Sequence, residues 1–252
     1  MIRLSIITPT CDRPIAFSLL ERWLSRQSFP AFEWIVADGG ESPVECNLGQ
    51  RHITCEPMHN PIDNFLGNLD AAFRHVRGDA VVICEDDDWY SRDYLMRYST
   101  LLLSHDLVGQ AGAVYYNLMS GRYWPCNNRR HASLCQTAMR STHIPYVLES
   151  IAFLRGRRKA YLDLHLWRNL PANSPRLLRG NLLSVGMKGF PGRKGIGVGH
   201  QDDRGTLDVK HMMLRKLVEN DADTYIDLQA SWFLENISEI AVNGGRCADI
   251  NN

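Results

Sequence analysis

Apolar positions in the first part of the chain follow two alternating periods. Leu4-Ser5-Ile6-Ile7-Thr8 is an almost unbroken apolar run closed by Pro9, the pattern of a fully buried parallel strand. Phe17, Leu20, Trp23 and Leu24 then recur at helical spacing between Pro14 and Gln27. Glu33 to Ala37 reads as a second strand, stopped by Asp38-Gly39-Gly40. Leu69, Ala72, Phe73 and Val76 mark one face of a helix over 64–76, closed by Gly78. Ala80 to Cys84 is a third apolar strand, and it runs straight into Glu85-Asp86-Asp87-Asp88. Strand, helix, strand, helix, strand in this order predicts an α/β fold with a doubly wound, mostly parallel sheet and right-handed crossovers.

The second half is less regular. Ala113 to Asn117 and Arg122 to Trp124 flank Met119-Ser120-Gly121 and predict a hairpin. Gly186, Gly189, Gly192, Gly195, Gly197, Gly199 and Gly205 follow Gly180 closely enough to predict a long loop, and such loops usually carry function or mobility. Val209, Met212, Met213, Lys216 and Leu217 predict a helix over 207–218, and another is expected over 230–240. No repeat, low-complexity tract or linker divides the chain, so a single domain over 1–252 is expected.

Composition narrows the class. At 252 residues, 44% hydrophobic and 22% charged, the chain is not of a disordered, collagen-like or disulfide-scaffold type. No run approaches the about 18 apolar residues of a membrane-spanning helix. The opening Met1-Ile2-Arg3-Leu4-Ser5 turns polar too quickly for a signal peptide. Seven cysteines (Cys11, Cys46, Cys55, Cys84, Cys126, Cys135, Cys247) without CxxC spacing argue against zinc ribbons and disulfide frameworks. Reduced thiols in a cytoplasmic setting, the host's if the source is viral, are expected.

Charge changes the picture more. The 28 Lys+Arg and 28 Asp+Glu cancel, which taken alone speaks against a nucleic-acid partner. The sum hides a division. Ser120 to Gly195 holds 14 Lys+Arg, 11 of them Arg, against only Glu149 and Asp163, leaving 14 basic and 26 acidic residues elsewhere. Asymmetry of this size can mark opposed binding surfaces or simply be scattered surface charge.

Glu85-Asp86-Asp87-Asp88 is the sharpest chemical feature. Adjacent carboxylates repel, so placing them at the end of a buried strand is costly unless a cation neutralises them. Ligands in open α/β sheets bind beyond the carboxyl ends of the strands. Carboxylates there can hold a hard divalent ion that keeps positions open for phosphate. A solvated acidic turn, or an N-cap for a helix starting near Trp89, would use the same residues.

Three segments, each at a strand end and in the proper order, give the chain a resemblance over roughly Ile2 to Leu95. They are Ile6-Ile7-Thr8-Pro9-Thr10-Cys11-Asp12-Arg13-Pro14, Trp34-Ile35-Val36-Ala37-Asp38-Gly39-Gly40 and Gly78-Asp79-Ala80-Val81-Val82-Ile83-Cys84-Glu85-Asp86-Asp87-Asp88-Trp89. Together they resemble family 2 glycosyltransferases of the GT-A fold. The resemblance implies a nucleotide-sugar and metal half over 1–105 and an irregular acceptor half over 106–252. Pro9, Thr10 and Arg13 would wrap the nucleotide, and Asp38 would accept a hydrogen bond from its base. The acidic cluster would be the DXD-type motif, with Asp86 near the ribose or sugar and Asp87 and Asp88 near the metal and diphosphate. Glu85-x-Asp87 fits the same pattern, so both registers stand. Mn²⁺ or Mg²⁺ would stabilise the diphosphate leaving group.

The resemblance has a gap: where the family carries Arg-Asn before the glycine matched by Gly78, Leu69-Asp70 stands here, with Asn64, Asn68 and Asp70 as possible substitutes. His200-Gln201-Asp202-Asp203 occupies the place of the family's acidic base. Asp203, or Asp202, would take the acceptor proton in an inverting transfer, or either would cap the helix over 207–218. His200 is a further candidate ligand to metal or diphosphate. Lys188, Arg193 and Lys194 can close over the diphosphate or stand as solvated loop charges. Trp89 and Tyr90 can stack on a sugar or pack beneath the loop. Arg155-Gly156-Arg157-Arg158-Lys159 reads as ordinary surface.

The expected activity is therefore metal-dependent transfer from a nucleotide-sugar donor to a hydroxyl acceptor. The Arg-rich basic stretch suits phosphate contacts and makes a polyanionic acceptor the expectation, either DNA with hydroxymethylated bases or an anionic glycan. Transfer to a base within duplex DNA would need that base extruded. A nucleotidyltransferase is the enzymatic alternative, but it would want glycine after the first strand, and Thr8-Pro9-Thr10-Cys11-Asp12-Arg13-Pro14 has none. An inactive nucleic-acid- or glycan-binding module on the same scaffold is the non-catalytic one.

Overall fold

The first apolar run becomes β1 (Leu4–Thr10), buried along its whole length, and it leads into α1 (Pro14–Ser25). β2 (Glu33–Asp38) follows, then β3 (Arg51–Thr54), α2 (Pro61–Phe73) and β4 (Ala80–Ile83). The computed structural model describes residues 2–178, 180, 182–197, 200 and 205–244. α2 starts and ends three residues earlier than the apolar spacing predicts. Asn60 Oδ1 accepts the amide N–H groups of Ile62 at 2.9 Å and Asp63 at 3.2 Å, and Pro61 sits in the first turn, where it sacrifices no helical hydrogen bond.

Beyond the acidic cluster come β5 (Trp89–Tyr90), α3 (Tyr94–Leu101), β6 (Leu107–Gln110), β7 (Val114–Asn117), β8 (Arg122–Pro125) and β9 (Thr137–Arg140). They are followed by α4 (Ile144–Arg155), α5 (Leu162–Asn169), β10 (Pro175–Leu178), β11 (Ser184–Lys188), β12 (Thr206–Leu207), α6 (Met212–Val218) and α7 (Ala222–Gly244). The main sheet has seven strands in the order β10-β6-β9-β4-β1-β2-β3. β3, β2, β1 and β4 are parallel, as are β10 and β6, while β9 inserts antiparallel between β4 and β6. Strands from both sides of residue 105 thus complete one sheet.

Alternation along the strands divides the core into two layers. Ile6, Val82 and Ala138 pack with Leu20 and Trp23 of α1 and Tyr94 and Tyr98 of α3. Ile7, Ile35, Val81, Ile83 and Met139 face the other way, onto Leu69 and Phe73 of α2 and Val147 and Ile151 of α4.

The expected hairpin is β7–β8, with Tyr115 opposite Trp124. It belongs to a second sheet ordered β12-β8-β7-β11-β5. Here the glycine-rich stretch departs from the expected loop: β11 lies within it and is buried throughout. Gly186 is the reason the strand fits, since a Cβ there would stand 2.3 Å from Cδ1 of Tyr115. The helix expected over 207–218 is also shorter. Lys210 and His211 adopt φ of 58° and 56°, and the helix proper begins at Met212. Asp208 caps it, its carboxylate accepting the N–H groups of Met213 and Leu214 at 2.8 Å each. The helix expected over 230–240 is the interior of the longer α7. Six cysteines are free thiols among the described residues, Cys247 lying outside them. No helix among the described residues is long and apolar enough to cross a membrane.

Candidate active site

β1 and β4 are parallel neighbours, so the turns beyond their carboxyl ends meet. Thr10 Oγ1 donates to Asp86 Oδ2 at 2.8 Å. Arg13, just before α1, forks between two carboxylates, reaching Asp86 Oδ1 at 2.6 Å and Asp87 Oδ2 at 2.7 Å. From β11, Lys188 Nζ lies 3.2 Å from Asp87 Oδ2 and 3.3 Å from Asp88 Oδ1. His200 Nε2 lies 3.0 Å from the same Asp87 oxygen. Asp88 Oδ1 also accepts the Met187 amide N–H at 3.1 Å. A solvated acidic turn is thereby excluded: Asp86, Asp87 and Asp88 are buried and paired.

This arrangement answers the electrostatic problem posed by the sequence. Burying carboxylates is expensive without compensation, and Arg13 and Lys188 supply it from distant parts of the chain. Burial, with Asp88 beside it, pushes Glu85 up to about 8. Burial likewise pushes Asp86 and Asp88 up to about 6 against the pull of Arg13 and Lys188 respectively. Asp87 is buried too, yet Arg13, Lys188 and His200 together hold it well below the usual carboxylate range. Burial lowers His200, which favours its neutral form.

The fit to a divalent cation turns on Asp88. Among the described residues its Oδ2 is buried and accepts no hydrogen bond of normal geometry, with only the weakly donating Cys135 thiol beside it. Ligand atoms of Glu85, Asp88 and Cys135 lie within 4.8 Å of one another. Two carboxylates suit hard Mn²⁺ or Mg²⁺, whereas burial keeps the thiol protonated and ill-suited to either ion. Tyr94 and Tyr98 hold the Cys135 loop in place, donating to the carbonyls of Cys135 at 2.7 Å and Gln136 at 2.8 Å.

The cluster opens onto a cleft of about 570 Å³. Pro9, Thr10, Arg13, Lys188, Arg193, Lys194 and His200 line it with residues 85–88, so most residues singled out in the sequence converge there. Arg193 also pairs with Asp12 at 3.3 Å. Asn64 and Asn68 reach the cleft, donating to the carbonyls of Gly39 and Thr10 at 2.8 Å each, whereas Asp70 pairs with Arg74 on the surface of α2.

Asp38 does not reach the cleft. It is fully buried, and its two oxygens accept the amide N–H groups of Gly40 at 2.8 Å and Val44 at 2.7 Å, fastening the loop after β2. Trp89 and Tyr90 also stay inside: the Trp89 indole donates to Asp221 at 2.7 Å, and Tyr90 is fully buried. Asp202 and Asp203 lie outside the described residues.

Several cleft residues gave no signal in the sequence. Tyr115 and Trp124 stack across the hairpin with ring centroids 5.4 Å apart. Arg158 and Lys159, read as plain surface, line the cleft with Tyr161 and Asp163. Arg158 holds φ at 51°, a conformation that few non-glycine residues adopt. Burial raises the Asp163 carboxyl.

The description Glycosyl transferase family 2 matches residues 5–164. Among solved structures, S. aureus TarS 1-349 superposes with a TM-score of 0.50 at 16% identity, covering 74% of this chain and 60% of that one. A longer S. aureus TarS structure gives 0.53 at 14% identity over 74% of this chain and 37% of that one. S. aureus TarS 1-349 in complex with UDP-GlcNAc gives 0.51 at 14% identity, covering 92% and 72%. This chain therefore spans under two thirds of the length of the first two, and identities this low speak to the fold. No curated protein sequence matches the chain. The family match runs from β1 into α5 and covers well over half of the residues, so the protein belongs to glycosyl transferase family 2, with a fold of the GT-A type.

Proposed function

We propose that the enzyme transfers a sugar from a UDP-linked donor to a hydroxyl of a polyanionic acceptor, with inversion and with Mn²⁺ or Mg²⁺ as cofactor. The observation that carries this reading is the buried, cation-paired carboxylate cluster at the mouth of the β1–β4 cleft. UDP enters because the similar TarS structures are described in complex with UDP and UDP-GlcNAc. Pro9, Thr10 and Arg13 contact the nucleotide, and Lys188, Arg193 and Lys194 face the diphosphate. Asp88 and Glu85, with Asp87, would hold the divalent ion, which supplies Lewis-acid stabilisation of the departing diphosphate. His200 orients Asp87 rather than ligating the ion, because the Nε2 that faces the cluster is already spent on Asp87 Oδ2.

Asp203, or Asp202, accepts the acceptor proton. A specific observation favours a second assignment: Asp163 lines the cleft beside Tyr161, and burial raises its carboxyl, the direction that makes a carboxylate a stronger base. Asparagine at each position separates them, since the true base should show the largest fall in turnover with donor KM little changed.

The acceptor half begins near residue 106. Arg158 and Lys159 bring the basic stretch to the cleft, which Trp124 and Tyr161 also line, and this supports an anionic acceptor. DNA carrying hydroxymethylated bases and an anionic glycan are its two forms. Duplex DNA affinity that does not fall with salt would remove the DNA form. The reading as a whole is tested by turnover of UDP-sugars with Mn²⁺. Asp87→Ala should lower turnover by at least about 100-fold, and unchanged turnover would overturn it.

A further inference from the structure

Lys188 is an unusual residue to find between the two acids assigned to the metal and diphosphate. It leaves β11 from within the glycine-rich stretch and is almost fully buried. Its ammonium stands 5.8 Å from the centroid of the Tyr115 ring, whose position depends on Gly186 having no side chain. It bridges Asp87 Oδ2 and Asp88 Oδ1 at 3.2 and 3.3 Å. A cation that coordinates neighbouring carboxylates would take the same ground.

The other groups on Asp87 cannot fill this role. Arg13 is a rigid fork committed to both Asp86 and Asp87, and His200 reaches Asp87 alone, through a single ring nitrogen. Lys188 is a compact point charge on a flexible four-carbon stem, able to leave one anion for another. Its natural second partner is the donor diphosphate, because Lys188 lines the same cleft as Arg193 and Lys194.

We propose that Lys188 is a tethered counter-ion of the donor site, holding Asp87 and Asp88 together without metal, competing with the divalent ion for their oxygens, and turning to the diphosphate once the ion is bound. The proposal rests on the donor reading above for its second half only. Competition for the carboxylates is a property of the protein and the metal alone. It predicts that removing the ammonium changes metal and nucleotide affinity in opposite directions, which a merely structural lysine would not do.

The test measures Mn²⁺ binding by electron paramagnetic resonance and UDP binding by calorimetry at saturating Mn²⁺. The wild type is compared with Lys188→Met and Lys188→Arg, each checked for folding by circular dichroism. Lys188→Met should bind Mn²⁺ alone at least ten-fold more tightly and UDP at least ten-fold more weakly. Lys188→Arg, which keeps the charge, should bind Mn²⁺ no more tightly than the wild type. Lys188→Gln replaces the Met variant should that one fail to fold. Equal or weaker Mn²⁺ binding without the ammonium overturns the proposal, as does no Mn²⁺ binding to any of the proteins. If the donor reading alone is wrong, the UDP measurement is silent in every variant while the Mn²⁺ measurement still reports the competition.

Discussion

Replacing Asp38 by Asn tests whether this residue serves the donor or the fold. Family resemblance would have it contact the nucleotide base, but in the structure its oxygens accept the backbone N–H groups of Gly40 and Val44, at 2.8 and 2.7 Å, in a fully buried setting, with the His52 ring 3.5 Å from Oδ2. Hydrogen bonds from backbone amides to a charged acceptor contribute about 1.5–3 kcal/mol each. Asn keeps the shape and one acceptor, but its amide nitrogen then faces one of the two N–H groups, donor against donor. One bond is lost and one buried N–H is stranded, a cost of about 2–4 kcal/mol. For a chain of this size each kcal/mol lowers Tm by about 2–4 °C, so a fall of about 5–15 °C is expected by calorimetry. Donor KM, measured well below that temperature, should change less than about three-fold, a shift worth under 1 kcal/mol. Asp38 serves the donor instead if Asp38→Asn melts within about 2 °C of the wild type, less than 1 kcal/mol can produce, while donor KM rises ten-fold or more.

Gly186→Ala should destabilise by about 1–3 kcal/mol through overpacking, because its Cβ would meet the Tyr115 ring at 2.3 Å. In a Tyr115→Ala background the same change should cost under about 0.5 kcal/mol, and additive effects in a denaturation cycle would refute the contact. Asp106 gives an acid-sensitive joint. Burial opposes its charge, but the amides of Asn173 and Ser174 and the His143 ring outweigh burial and hold its carboxyl below the ordinary range. Its contribution is complete above the unfolded value of about 3.9 and disappears as pH falls through the lower folded value. The Tm gap between wild type and Asp106→Asn should therefore be widest near pH 6 and close toward pH 2, a gap constant with pH being the contrary result.

Much of the β1–β4 side of the cleft was legible in the chain because its signals are local. A period of two or 3.6 residues states which face of an element is buried, and β1, α1, β2, β4 and the β7–β8 hairpin stand where that pattern put them. The acidic run was equally visible, being four consecutive residues at a strand end. What the pattern could not supply was partnership. Thr137–Arg140 is too short and too polar to announce a strand, and it becomes β9 only because β4 and β6 leave an antiparallel place between them. β11 was hidden by its glycines, whose use at Gly186 depends on a tyrosine far away in the sequence.

The charge division shows the same boundary. By itself the sequence determined that a basic stretch exists and that the rest of the chain is acidic. Only the tertiary structure decided that the two do not stay apart: Lys188 and Arg193 fold back onto Asp87, Asp88 and Asp12, while Arg158 and Lys159 remain at the cleft. The physical reason is that buried carboxylates must be neutralised within a few ångströms. Which cation does so is set by the packing of strands, not by distance along the chain.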